Sequence, residues 1–165
     1  MPVDRAIPVD GAIPVDRAMP LDRSWIELNI PHHGRMCLLD EVVEWNSQHI
    51  RCRAASHRLP DHPLRSQGRL GVASGIEYAA QTMAAHGALT GGAGRPEAGL
   101  LAGLRDVRLH VLRLDDIESD LICDATLVAG DRSTALYEFV LWTEAKRLMS
   151  GRATVVFDAN QQLKP

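Results

Sequence analysis

The sequence predicts an α+β fold in which one antiparallel sheet wraps around one long central helix. One convincing helical pattern runs from Val72 to Leu89, with Ile76, Ala80, Met83 and Gly87 on one face. Two strand-like segments come before it and four come after, the later ones joined by linkers of hairpin length. No matching return helix follows, so helix is expected on one face of the sheet only.

The elements follow in order. Ile26 to Ile30 leads into a break at Pro31. Met36 to Trp45 is apolar-rich, with Asp40, Glu41 and Glu44 on the wet side, and suits a first strand. His49 to Ala55 alternates Ile50, Cys52 and Ala54 with Arg51 and Arg53, the period of a half-buried strand. Arg58 to Arg69 is a polar loop containing Pro60, Pro63 and Gly68. In the central helix, Ser74 and Glu77 stand in a capping-box relation, and Ala79 and Ala84 let the helix lie close against a sheet. Thr90 to Pro96 is a glycine-rich exit. Gly99–Leu112, Ser119–Leu127, Thr134–Thr143 and Ser150–Phe157 then read as a four-strand meander.

With 165 residues, the chain has room for one domain and its core. Hydrophobic residues make up 45% and charged residues 24%, a soluble globular profile. A net charge of -3 argues against nucleic acid as the main partner. No stretch reaches the roughly 18 apolar residues of a membrane span. Asp4, Asp10 and Asp16 stand where a signal peptide would need an apolar core. Cys37, Cys52 and Cys123 lack metal-type spacing and read as buried thiols in a reducing, cytoplasmic compartment.

Residues 1–24 are a different material. From Pro2 the chain reads PVDRAI, PVDGAI, PVDRAM and PLDRSW, four copies of a six-residue period. A proline opens each copy, which rules out a regular helix or an inner strand. Four copies are too few to bury a solenoid core. The expectation is a disordered, solvated arm over 1–24, with the folded domain over 25–165.

Three segments carry chemistry: Ile30-Pro31-His32-His33 leading to Leu38-Leu39-Asp40, Asp61-His62-Pro63-Leu64-Arg65, and Gly75-Ile76-Glu77-Tyr78-Ala79-Ala80-Gln81. Glu77 and Gln81 are four apart and share a helix face. A carboxylate among apolar neighbours is expected to have a raised pKa, which suits a general acid. The helix start offers backbone N–H groups for a carbonyl oxygen. His62, in the flexible loop upstream, can reach the helix start of its own or a neighbouring subunit. The plainer alternatives are a capping role for Glu77 and a turn role for His62. His32 and His33 are adjacent in an extended segment, so they point apart and make a poor metal pair. Tyr78 reads as packing, and His86 lies on the far side of the helix from Glu77.

These segments resemble the hot-dog-fold 3-hydroxyacyl-(acyl-carrier-protein) dehydratases. That family has a Leu-Pro-His motif, an apolar strand with an Asp, a loop His, and a Glu-x-x-Ala-Gln run on the central helix. Ile30-Pro31-His32, Leu38-Leu39-Asp40, His62 and Glu77-Tyr78-Ala79-Ala80-Gln81 match in order. The loop and helix start are most similar to the divergent branch found in aryl-polyene-type pigment clusters. The main family's Gly-His-Phe-Pro-Gly loop is replaced here by Asp61-His62-Pro63, and neither Pro-Gly pair is present, so His57 stays open as the alternative base.

The resemblance, which covers Ile30 to about Phe157, implies dehydration of a 3-hydroxyacyl thioester to the trans-2-enoyl thioester. His62 would be the base and Glu77 the acid, with Gln81 orienting Glu77. Backbone N–H groups around Gly71 and Gly75 would hold the thioester oxygen. No metal or other cofactor is implied. The expected partners are an acyl carrier protein and a second hot-dog subunit, identical or related. Arg51, Arg53, Arg65 and Arg69 form a candidate basic rim for an acidic carrier. A hot-dog thioesterase using Glu77 alone, or a non-catalytic subunit of a heteromeric dehydratase, are the alternatives.

Overall fold

The structure, a computed structural model, describes residues 21–91 and 99–157. In chain order it contains β1 (Leu21–Asp22), α1 (Arg23–Asn29), β2 (Glu41–Trp45), β3 (His49–Ala54), α2 (Gly75–Thr90), β4 (Gly99–Leu109), β5 (Leu121–Gly130), β6 (Thr134–Trp142) and β7 (Arg147–Phe157). The strands form one seven-stranded sheet in the order β1-β2-β3-β5-β6-β7-β4. Every pairing is antiparallel. Helix α2 packs on β3, β5 and β6, the middle of the sheet. This is the wrapped-helix architecture the sequence predicts. Among the described residues, no helix is long and apolar enough to cross a membrane.

The expected four-strand meander is corrected. Only β5, β6 and β7 follow one another across the sheet; β4 pairs with β7 at the far edge, and β5 pairs with β3. The connection 110–120 is therefore a crossover and not a hairpin. Its path is pinned beside the start of α2: Leu114 N–H bonds to Leu70 O at 2.8 Å and Val72 N–H to Leu112 O at 3.1 Å. Asp115 adds a carboxylate bond to the Leu70 N–H at 2.8 Å.

The boundary of the N-terminal arm is also corrected. The first three repeat copies and Pro20 lie outside the described residues, but Leu21 to Trp25 of the fourth copy belong to the fold. Leu21 pairs with Val42 and Asp22 with Glu41, making β1 an edge strand. The Asp22 carboxylate then caps α1 by accepting from the Trp25 N–H at 3.1 Å. Leu21 and Trp25 pack against the core.

The buried face of α2 differs from the apolar stripe read in the sequence. Gly75, Tyr78, Ala79, Thr82, Met83 and His86 are buried, whereas Ile76, Ala80 and Gly87 are only half-buried. Polar side chains occupy the deep face because each has a partner there. Thr82 Oγ1 donates to Tyr78 O at 2.8 Å. His86 bonds through Nε2 to Asn46 O at 2.9 Å and through Nδ1 to the Tyr137 hydroxyl at 2.8 Å. Gly75 sets the close approach of helix and sheet: a Cβ there would lie 2.8 Å from Leu141 Cδ2 and 3.2 Å from Met149 Cε. Cys37, Cys52 and Cys123 are buried free thiols, and burial pushes Cys123 up to about 12.

Candidate active site

The helix start is entered through a tight 3-10 turn, Val72–Ser74, which leads directly into α2. Ser74 is therefore already helical, and its side chain makes no capping bond. The capping box does not form, and Glu77 is left for other partners. Its Oε1 lies 2.9 Å from His32 Nε2 and accepts from Gln81 Nε2 at 3.0 Å. Both Glu77 and His32 remain partly exposed, at 30% and 26% of their side chains.

Gln81 is completely buried, and its amide orientation is forced. Its Oε1 accepts the Leu38 N–H at 2.8 Å, so its NH₂ must face Met36 O, at 2.7 Å, and Glu77. One side chain thus ties the 36–38 segment to α2 and aims a donor at the carboxylate. Leu38 and Leu39 are buried beside it, which explains the apolar pair after the Pro-His motif. Asp40 accepts the Ala55 N–H at 2.7 Å and so fixes the start of the loop after β3.

The expected rise in the Glu77 pKa is corrected. The hydrogen bond from His32 holds the carboxyl below its ordinary range, opposed by burial and aided by Gln81. Glu77 is therefore a carboxylate at rest.

His62 sits in a different network. It is 4% exposed. Its Nδ1 accepts the Leu64 N–H at 3.1 Å, and its Nε2 lies 3.1 Å from the Tyr78 hydroxyl. The Tyr78 hydroxyl contacts Ser56 Oγ at 2.7 Å, and Ser56 Oγ donates to Leu38 O at 2.7 Å. Burial, then the nearby Arg65 cation, lowers the His62 pKa and keeps the ring neutral. No hydrogen bond joins His62 to Glu77; each reaches the 36–38 segment by its own route, Glu77 through Gln81 and His62 through Tyr78 and Ser56. His57, the alternative base, is fully buried, with Nε2 on Ile117 O at 3.0 Å.

Of the glycines, Gly75 serves packing, and its N–H turns back onto the carbonyls of Val72 and Ala73. Gly71 is bridged to Arg113. The ladder bonds of that bridge belong to the flanking residues, so the Gly71 N–H takes no part in it.

The basic rim is largely spoken for. Arg51 grips Asp124 at 2.8 and 3.2 Å and stacks over Trp142. Arg53 bonds Glu41 at 3.1 Å and Asp120 at 3.0 Å. Arg65 donates to three loop carbonyls, those of Leu59, Gly68 and His57. Arg69 is exposed, at the end of a two-residue turn whose Gln67 and Gly68 both have positive φ.

Sequence reasoning missed two partners: His32 for Glu77, and the Ser56–Tyr78 pair for His62. The Pro-His motif was the available signal for the first. Ser56 had none, because its contact with Tyr78 exists only once the loop folds over the helix.

A seven-stranded antiparallel sheet wrapped around a central helix is the hot-dog architecture. The chain belongs to the ApeP-like family, whose model, described as ApeP dehydratase, matches residues 25–164. No curated protein matches the sequence. Among solved structures, the chain is similar to the dehydratase heterocomplex ApeI:P of Xenorhabdus doucetiae: 23% identity, 84% of this chain and 93% of that chain covered, TM-score 0.74. It is also similar to a hypothetical thioesterase of Streptococcus pneumoniae TIGR4 with coenzyme A (12%, 71% and 84%, TM-score 0.53). S. sahachiroi AziG is a third (10%, 74% and 91%, TM-score 0.56). At these identities the structural likenesses speak for the fold.

Proposed function

We propose that the chain takes part in dehydration of a 3-hydroxyacyl thioester, carried on an acyl carrier protein, to the trans-2-enoyl thioester. The observation that carries this reading is Glu77: a partly exposed carboxylate at the helix start, aimed by the buried Gln81 and bonded to a histidine, in a chain of a dehydratase family.

Elimination needs a base for the C2 proton and an acid for the departing hydroxyl. Glu77 serves the hydroxyl. His62 rests neutral, the form a base requires. Because Leu64 N–H occupies Nδ1, the Nε2 atom carries the proton and stays on Tyr78, so the basic lone pair is at Nδ1 and substrate displaces Leu64 N–H to reach it. The Gly71 N–H is the donor nearest in role to an oxyanion contact.

His62 and Glu77 meet the same substrate when a second hot-dog subunit, identical or related, completes the site. Support comes from β4, whose outer edge has no partner strand among the described residues and leaves Leu100 and Leu109 more than half exposed. The similar ApeI:P protein is a heterocomplex. Arg69 is the arginine of the rim left for an acidic carrier.

The test is mass spectrometry of a 3-hydroxyacyl carrier protein incubated with the purified chain, alone and with a related hot-dog subunit. Loss of one water supports the reading. Release of free acid replaces it with a thioesterase. No change in either mixture removes the catalytic reading.

A further inference from the structure

The dehydratase reading leaves one difficulty: Glu77 is ionised at rest, yet it must give a proton to the leaving hydroxyl. The Pro-His motif supplies an answer that rests on that reading. We propose that His32 is the proton source behind Glu77, so that the acid of the site is the His32–Glu77 pair and not the carboxyl alone.

The geometry carries this. His32 Nε2 lies 2.9 Å from Glu77 Oε1, a length for direct proton transfer. Among the described residues, the ring of His32 has the Glu77 carboxylate as its hydrogen-bond partner and no other. The buried His86 differs, tying both ring nitrogens to Tyr137 and Asn46, and His57 bonds a backbone carbonyl, that of Ile117. His32 Nδ1 has no hydrogen-bond partner among the described residues, so its ring is held by Glu77. The neighbouring charges are committed elsewhere. Arg23 pairs with Glu27 and Asp40, and Arg35 with Asp61. Among the described residues, only His32 forms an ion pair with Glu77. Gln81, the other partner, is an amide and cannot supply a proton.

The step balances. The reacting form carries the acid proton on the His32–Glu77 pair, with His62 neutral. His62 takes the C2 proton, and the C–H electron pair becomes the C2–C3 double bond. The proton moves from His32 Nε2 to Glu77, and the C3–O bond breaks as its oxygen receives that proton from Glu77. Water leaves, with His32 neutral and His62 as imidazolium; exchange with solvent resets both. His32 acts through Glu77 and is a positioning residue, not one that touches substrate.

His32→Gln and His32→Ala separate proton supply from orientation. Gln keeps an N–H donor near Glu77 but cannot release its proton. The expected result is that both variants lose roughly 10² or more in kcat, within the range of a positioned acid, with KM within about twofold and thermal unfolding unchanged. In His32→Ala the Glu77 carboxyl, followed by carbon NMR, titrates at higher pH than in the wild-type protein. Wild-type kcat in His32→Gln would reduce His32 to orientation and overturn the proposal. So would an unmoved Glu77 titration in an active enzyme. Absence of enoyl product from the wild-type protein, alone and with its partner, overturns the dehydratase reading itself; the NMR titration, which needs no turnover, tells that failure from the other.

Discussion

The bond between His62 and Tyr78 has a fixed direction. Leu64 N–H, a donor only, occupies His62 Nδ1, and Leu38 O, an acceptor only, takes the Ser56 hydroxyl proton. Between these ends His62 Nε2–H must donate to Tyr78, and the Tyr78 hydroxyl to Ser56. The chain of bonds holds the His62 loop against α2 and the 36–38 segment at once.

Tyr78→Phe removes the middle of that chain. The buried His62 N–H loses its acceptor, which is expected to cost about 1–3 kcal/mol. Urea unfolding measures it. Ser56→Ala leaves the His62–Tyr78 bond in place but strands the Tyr78 hydroxyl proton and Leu38 O, so it too is expected to cost about 1–3 kcal/mol; unchanged stability in both variants would show that the chain of bonds does not hold the loop.

The proposed pair is tested by Glu77→Gln and His62→Ala. Each is expected to lower kcat by roughly 10² to 10⁴, and the double variant by far less than the product. A thioesterase would survive His62→Ala. His57→Ala is expected to disturb stability, since the ring is fully buried against the 110–120 crossover, and not to remove a catalytic base.

Three buried histidines set the acid side of the stability curve. Burial is the first cause lowering the pKa of His57, His62 and His86. The native state therefore binds fewer protons than the unfolded chain below the unfolded value of about 6.5. Their contribution is intact above that value and is lost as pH falls through it. Urea unfolding at about pH 7.5 and about pH 5.5 should show lower stability at the acid condition. Equal stability would mean that these rings are not buried neutral.

At the N-terminus, deletion through residue 19 should leave unfolding unchanged. Asp22→Ala removes the cap of α1 and is expected to cost about 0.5–2 kcal/mol. Deletion through residue 24 should cost more, because β1 goes as well. Identical melting of all three would return the fourth repeat to the arm.

Gly75→Ala should destabilise by about 1–3 kcal/mol in spite of the better helix propensity of Ala, because Leu141 and Met149 leave no room for a methyl group. Calorimetry of Gly75→Ala, Met149→Ala and the double variant should show the pair to be non-additive, since the smaller side chain opens the space.

Much of this was written locally. Alternation in 49–54 and the apolar run of the later strands fixed the strands, and the helical period fixed α2, because both periodicities depend on residues close in the chain. Glu77 and Gln81 were legible as a pair for the same reason. What the tertiary structure alone decided depends on contacts between distant segments. β4 went to the far edge because the 110–120 crossover bonds to the helix start. The deep face of α2 is polar because Asn46, Ser56 and Tyr137 come to meet it. Glu77 is a carboxylate at rest because His32, forty-five positions earlier, donates to it. A side chain's neighbours on its own helix follow from the period; its charge state follows from whatever the fold sets against it.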